Sequence, residues 1–198
     1  MLTATQMHDQ LTHPTRLWSR PNILARPCPV PAEPGVYAWY FAEVPPGVPT
    51  QGCAVRDGCT LLYVGISPSA PPANGKPPSR QNLRTRVRYH MRGNAEGSTL
   101  RLSLGCLLSA RLGIELRRVG SGGRRTFARG EARLSAWLER SARVTWVVHP
   151  QPWAVEPALI ATLVLALNLD QNGHSPFHAT LSRLRAEAKQ RARMLPIV

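Results

Sequence analysis

Glu156 has the setting in this sequence that most needs explaining. It lies in a run of Ala, Val, Leu and Ile, with few other acids nearby. A carboxylate flanked by apolar residues costs desolvation unless it is paired or holds a cation. One reading makes it a metal ligand. The other makes it a carboxylate near a helix start, just before Pro157, where the helix dipole favours negative charge. Upstream, Tyr37 and Tyr63 each sit in a strand-like run, and an arginine-rich segment containing Arg86 and His90 follows them. Arginine suits bidentate phosphate recognition. Each of these also has an ordinary reading. The tyrosines pair across strands as core, Gly65 ends a strand, and Arg86 is solvated. Asn168 and Asn172 serve as helix caps or turn residues.

The elements that must position these residues can be read from pattern. Gly35 to Phe41 is β-branched and aromatic, and Leu61 to Ile66 is similar, so both are predicted strands. A single loop between them points to an antiparallel hairpin. Residues 67–80 are rich in Pro, Ser, Gly and Asn and read as a flexible loop. Leu83, Val87 and Met91 recur at helical spacing among arginines, which predicts a basic amphipathic helix over 81–91. Further helices are expected over 100–112, 131–140 and 153–167, the last buried by its apolar character, with Trp146 and Trp153 in the core. Arg143 to Val148 is a strand, and a short hairpin is expected around Gly120-Ser121-Gly122-Gly123. A basic helix closes the chain over 176–194. Strands and helices do not strictly alternate, so the class is α+β: a small mixed or antiparallel sheet flanked by helices, with extra helical elements.

Composition narrows the partners. The chain has 198 residues, 43% of them hydrophobic, which suits one globular domain. The net charge of +14, carried mostly by arginine, favours a polyanionic partner, nucleic acid before anionic membrane. No apolar run reaches membrane-spanning length and no secretory signal is visible, so a cytoplasmic protein without a membrane partner is expected. Cys28, Cys53, Cys59 and Cys106 show no zinc spacing and are expected as thiols, with Cys106 in the core. His174 and His178 are spaced like a metal pair, but Pro176 between them favours a loop.

Taken in order, these motifs resemble the GIY-YIG nucleases. Gly35-Val36-Tyr37 resembles the first signature triad and Tyr63-Val64-Gly65 the second. Leu83-x-x-Arg86 resembles the helix bearing the family's essential arginine. Glu156-x-x-Leu159-Ile160, followed by Asn168, resembles its metal-binding helix and trailing asparagine. The resemblance implies a division into an arm (1–33), a nuclease domain (34–175) and a basic C-terminal helix (176–198). It implies a tyrosine as general base, either Tyr63 or Tyr37 close by, which some members favour for that role, and Arg86 as clamp on the scissile phosphate. Glu156 would be the ligand of one Mg²⁺ or Mn²⁺, His90 a phosphate contact or proton relay, and Asn168 an ordering group. Gly35 and Gly65 would allow close packing at the site. A phenol with a pKa near 10 needs a neighbouring cation to act as a base at neutral pH.

The function expected is metal-dependent hydrolysis of DNA phosphodiester bonds. The alternative is an inactive domain of this type that binds nucleic acid or a protein partner. No separate DNA-binding unit is visible, so Arg84, Arg88, Arg92, Arg124 and Arg125 are expected to grip DNA, with Arg117, Arg118 and the basic tail (Arg183, Arg185, Lys189, Arg191, Arg193). One such site cuts one strand, so duplex cleavage implies either a homodimer or two visits.

Overall fold

A computed structural model describes residues 2–74, 79–121 and 123–198. Part of the 67–80 loop (75–78) and Gly122 at the expected hairpin tip therefore lie outside the described residues.

Strand β1 (Gly35–Phe41) is buried along its whole length. Alternation sends Val36, Ala38 and Tyr40 into one hydrophobic cluster and Tyr37, Trp39 and Phe41 into another. A strand apolar on both faces belongs in the middle of a sheet, and β1 lies there. It pairs antiparallel with β3 (Cys59–Ser67) and with β6 (Ala142–Val148). A two-residue β2 (Val55–Arg56) lies outside β3, giving the order β2-β3-β1-β6. This is the antiparallel form of the sheet expected. The β1–β3 register shifts between Trp39 and Tyr40, leaving Leu62 as the extra residue of a bulge. The bulge lets Leu62 and Tyr63 face the same cluster.

Helices cover both faces of the sheet. On one side, α1 (Ala4–Thr12) packs against α7 (Pro152–Thr162). On the other lie α2 (Arg20–Leu24), α3 (Leu83–Arg92), α4 (Thr99–Leu107), α6 (Gly130–Ser141) and α8 (His178–Met194), with α5 (Ser109–Leu112) beside α4. The second sheet is the hairpin β4 (Arg117–Val119) and β5 (Arg124–Thr126). The segments flanking 34–175 dock onto this body. Trp18 exchanges both backbone hydrogen bonds with Val144 at the free edge of β6. In α8, Leu181, Ala188 and Ala192 are buried in the same cluster as Tyr37.

Three local expectations are corrected. The helix expected over 100–112 breaks at Leu108 into α4 and α5, and ends at Gly113 in the left-handed conformation. The helix expected over 153–167 stops at Thr162, because Leu163 turns to extended geometry and the chain then runs along β3. That helix is buried on one face only, through Val155, Leu159 and Ile160, while Ala154, Ala158 and Ala161 are exposed. Trp146 and Trp153 are half-buried rather than core, and Trp146 stacks on Trp18 at 5.5 Å.

A buried ion pair ties α3, α4 and α6 together. Arg101 is fully buried and donates to Glu131 Oε2 at 2.6 Å and to the His90 carbonyl. Glu131 Oε1 accepts from the backbone of Ala95 and Phe127. Removing one partner strands the other charge in the interior. Arg101→Ala should therefore lower the unfolding free energy by about 3–5 kcal/mol in urea titrations; a loss within about 1 kcal/mol would contradict this role.

Candidate active site

The register sets the first half of the site. Tyr37 is the direct partner of Gly65, and Trp39 is the partner of Tyr63. The two phenol rings thus lie diagonally on one face, centroids 6.5 Å apart. The Tyr37 ring occupies the space that a side chain at residue 65 would need. A Cβ built there would meet the phenol oxygen at 2.6 Å and its ring carbon at 2.7 Å. Gly35 is confined in the same way, between the Val147 carbonyl and Leu83.

Helix α3 brings Arg86 and His90 to these rings, one turn apart. Its N-terminus is fixed by the Asn82 side chain on the Thr85 N–H, and by the carbonyls of Glu33 and Pro31, which accept from Leu83 and Arg84. His90 is fully buried, with Nε2 2.9 Å from the Tyr37 hydroxyl and Nδ1 2.7 Å from Ser98 Oγ. Arg86 Nε donates to the Tyr37 oxygen at 3.4 Å and Nη1 to the Gly97 carbonyl at 2.8 Å. A guanidinium can only donate. The Tyr37 oxygen therefore accepts from Arg86, and the His90 tautomer sets the direction of the bonds to Tyr37 and Ser98. Burial, then the charges of Arg86 and Arg101, hold the His90 pKa well below 6.5, so the imidazole is neutral at neutral pH. Burial and the neighbouring Tyr63 push the Tyr37 phenol far above its ordinary range.

The second half of the site lies where the chain passes around the edge of β3. After α7, the Leu167 N–H donates to the Leu62 carbonyl at 2.9 Å. The Asn168 side chain then imitates a strand. Its Oδ1 accepts from the Val64 N–H at 2.9 Å and its Nδ2 donates to the Val64 carbonyl at 2.8 Å. Asn172 ties the turn by donating to the carbonyls of Leu165 and Asn168. The result is a cleft of about 320 Å³ whose walls include Tyr63, Thr99, Glu156, Asn168, Asp170 and Arg185. Tyr63 is half-buried, with its hydroxyl 3.3 Å from Thr99 Oγ1. Glu156 is half-buried and accepts from Gln171 Nε2 at 3.5 Å. Burial and then Asp170 raise its pKa above the usual carboxylate value, while Gln171 opposes them. The Glu156 charge acts on both phenols.

Tyr37, Tyr63, Arg86, His90, Glu156 and Asn168 are thus brought together from two strands, two helices and a turn. The arginines expected to grip DNA divide. Arg84, Arg88 and Arg92 recur every four residues on the side of α3 away from Tyr37. Arg84 Nε donates to the Val30 carbonyl and Arg88 Nη1 to that of Ile23, so both brace the N-terminal arm. Arg124 is exposed in β5, and the Arg125 N–H donates to Glu96 Oε2. His178 opens α8, and among the described residues no three His, Cys, Asp or Glu side chains cluster as a metal site. All four cysteines are free.

Sequence reading passed over Ser98, Thr99 and Asp170. Asp170 follows Asn168 by two residues, and that closeness was the available signal. Ser98 and Thr99 carried none, because Ser98 caps α4 on the Arg101 N–H and reads as an ordinary cap.

No curated protein and no solved structure matches this chain. The family model described as the GIY-YIG catalytic domain matches residues 35–187, from the first residue of β1 into α8. With that match spanning most of the chain, and with both signature tyrosines facing one site, the protein belongs to the GIY-YIG catalytic-domain family.

Proposed function

We propose that this protein is a divalent-metal-dependent endonuclease that hydrolyses DNA phosphodiester bonds in the cleft at the edge of β3. The observation that carries this reading is that Tyr63 and Glu156 line one cavity, with Arg86 and Tyr37 directly behind Tyr63. Family membership supports a nuclease-type activity on nucleic acid, and GIY-YIG nucleases generally use divalent metal ions.

The donor set fits such an ion. Glu156 and Asp170 line the same cavity and repel each other, a cost that a cation between them would remove. Two carboxylates on one cavity suit Mg²⁺ or Mn²⁺, which keep several waters and take few protein oxygens. When bound, the cation supplies positive charge to the phosphate and to the departing 3′ oxygen. Among the chain's own groups, Tyr63 opens onto the cleft and, as the phenolate formed when its own proton passes to solvent, accepts the proton of the attacking water. Burial, with the charge of Glu156, holds its phenol above the ordinary value, while the Thr99 hydrogen bond and the charges of Arg86 and Arg185 oppose that rise. Arg86 spends Nε and Nη1 on Tyr37 and Gly97, and we assign its Nη2, which makes no hydrogen bond among the described residues, to the phosphate. Tyr37 is only 1% exposed, so it acts on Arg86 rather than on water. Asn168 holds the Glu156 side of the cleft to the strand of Tyr63. The cytoplasm is the compartment we assign, consistent with four free thiols.

Supercoiled plasmid incubated with the protein and Mg²⁺ or Mn²⁺ should pass to open circle before linear form, since one centre breaks one strand per visit. Binding without cleavage in every divalent metal would instead favour a module that only binds. Glu156→Gln should lower nicking by about a hundredfold or more without lowering Tm. The sign follows from the raised folded-state pKa: the protonated form is favoured in the fold, so ionised Glu156 costs stability above that pKa, and the amide removes this cost. The Tm increment that metal gives the wild type should vanish in the same variant. A Tm drop with nicking preserved would overturn the assignment.

Tyr63→Phe should reduce the rate by about 10²-fold or more, and Tyr37→Phe by less. The reverse order would move the base to Tyr37. Gly65→Ala should displace the Tyr37 ring and impair nicking while the far-UV circular dichroism stays native; full activity would refute the close-packing role.

A further inference from the structure

α8 brings a further cation to the cleft. Arg185 is half-buried and lines the same cavity as Tyr63, Glu156 and Asp170. Its charge acts on the Tyr63 phenol. Yet among the described residues its guanidinium makes no hydrogen bond or ion pair, although two carboxylates share its cavity. Arg20, Arg84, Arg88, Arg101 and Arg118 all spend their partly or fully buried guanidinium groups on protein oxygens. A partly buried guanidinium without a partner costs desolvation that an anion would offset.

Arg185 does not stand alone. Lys189 lies one turn further along α8, and Arg125 of β5 approaches it from the hairpin. The Lys189 ammonium is held below its ordinary pKa by burial and by the charges of Arg185 and Arg125. Glu96, which accepts the Arg125 N–H, is the acid that opposes them there. Lys189 stands in the fields of both arginines, and a chain of phosphates relieves that repulsion. The stripe on α3 offers less, because Arg84 and Arg88 are committed to the arm.

Resting on the nuclease reading above, we propose that Arg185 binds a backbone phosphate neighbouring the one that is cut, and that Lys189 and Arg125 carry the same strand away from the cleft along α8 and the β4–β5 hairpin. Phosphate contacts of this kind position the substrate without reading its sequence. They also orient the strand, since only one end of the track opens on the Tyr63 hydroxyl.

The test is fluorescence anisotropy of a short labelled DNA duplex with the full chain in EDTA, titrated over a series of KCl concentrations, with plasmid nicking measured in parallel. Arg185→Gln should weaken binding by about tenfold and reduce the slope of log K against log salt by about one. It should raise the KM of nicking far more than it lowers kcat. Arg185→Lys should restore the slope, because the charge survives. Lys189→Ala and Arg125→Ala should each reduce the slope again, and Arg140→Ala, at an exposed position of α6, should leave it unchanged. Thermal melts matching the wild type confirm that the variants fold. Arg185→Gln with wild-type affinity and slope would overturn the proposal while leaving the hydrolysis reading intact, as would a loss equalled by Arg140→Ala. A wild type that binds through Arg185 but nicks in no metal would remove the hydrolysis reading and keep the binding track.

Discussion

A single side-chain amide holds the two halves of the site together. Asn168 satisfies both the N–H and the carbonyl of Val64, completing hydrogen bonds that a neighbouring strand would otherwise supply. β2 covers only the start of β3, so the rest of that edge needs another partner. With Asn168 5% exposed, these bonds are shielded from water, and leaving the Val64 groups unmet would carry the full desolvation penalty. The same contact fixes the path of the chain from α7 on one face of the sheet to α8 on the other. Glu156 and Arg185 reach one cavity because that path turns at Val64.

Charge placement follows from this geometry. Carboxylates enter the cleft from α7 and the turn after it and the Arg185 guanidinium enters from α8, while Arg86 of α3 lies behind Tyr63. They line adjacent walls without neutralising one another, as none of the ion pairs formed elsewhere joins Glu156 or Asp170 among the described residues. A site arranged so retains affinity for a cation and an anion together, which is what a phosphodiester with its counter-ion presents. Elsewhere the fold does neutralise its buried charge, as the Arg101–Glu131 pair demonstrates. The Tyr37–His90–Ser98 chain adds rigidity behind the cleft. Arg86, which can only donate, joins that chain at the Tyr37 oxygen.

Much of the architecture could be read from local pattern. The alternation over Gly35–Phe41 and the spacing of Leu83, Val87 and Met91 each name a face, and the sheet and α3 use those faces. The four-residue recurrence of Arg84, Arg88 and Arg92 already set them apart from Arg86 on a helical wheel. That they brace Val30 and Ile23 needed the arm in place. The overlong helix over 153–167 has a clear cause. Every residue from Leu163 to Leu167 is apolar and helix-compatible, and what draws them off the helix is the unpaired edge of β3, far away in sequence. Asp170 joins Glu156 only through the turn that Asn172 closes, so beyond its nearness to Asn168 in sequence nothing announced that it would share the cleft.

The assembly of the site from both faces of one sheet also bears on the order in which the molecule becomes competent. Tyr37, Tyr63 and Arg86 come from the first half of the chain, but Glu156, Asn168 and Arg185 emerge from the ribosome much later. None of the early groups can meet the late ones until the hydrophobic layers above and below β1 have both closed. Contacts of such long sequence separation form late in folding. A nascent or partly unfolded copy therefore holds the reactive phenols without the carboxylates opposite them, and the constellation arises only in a finished molecule.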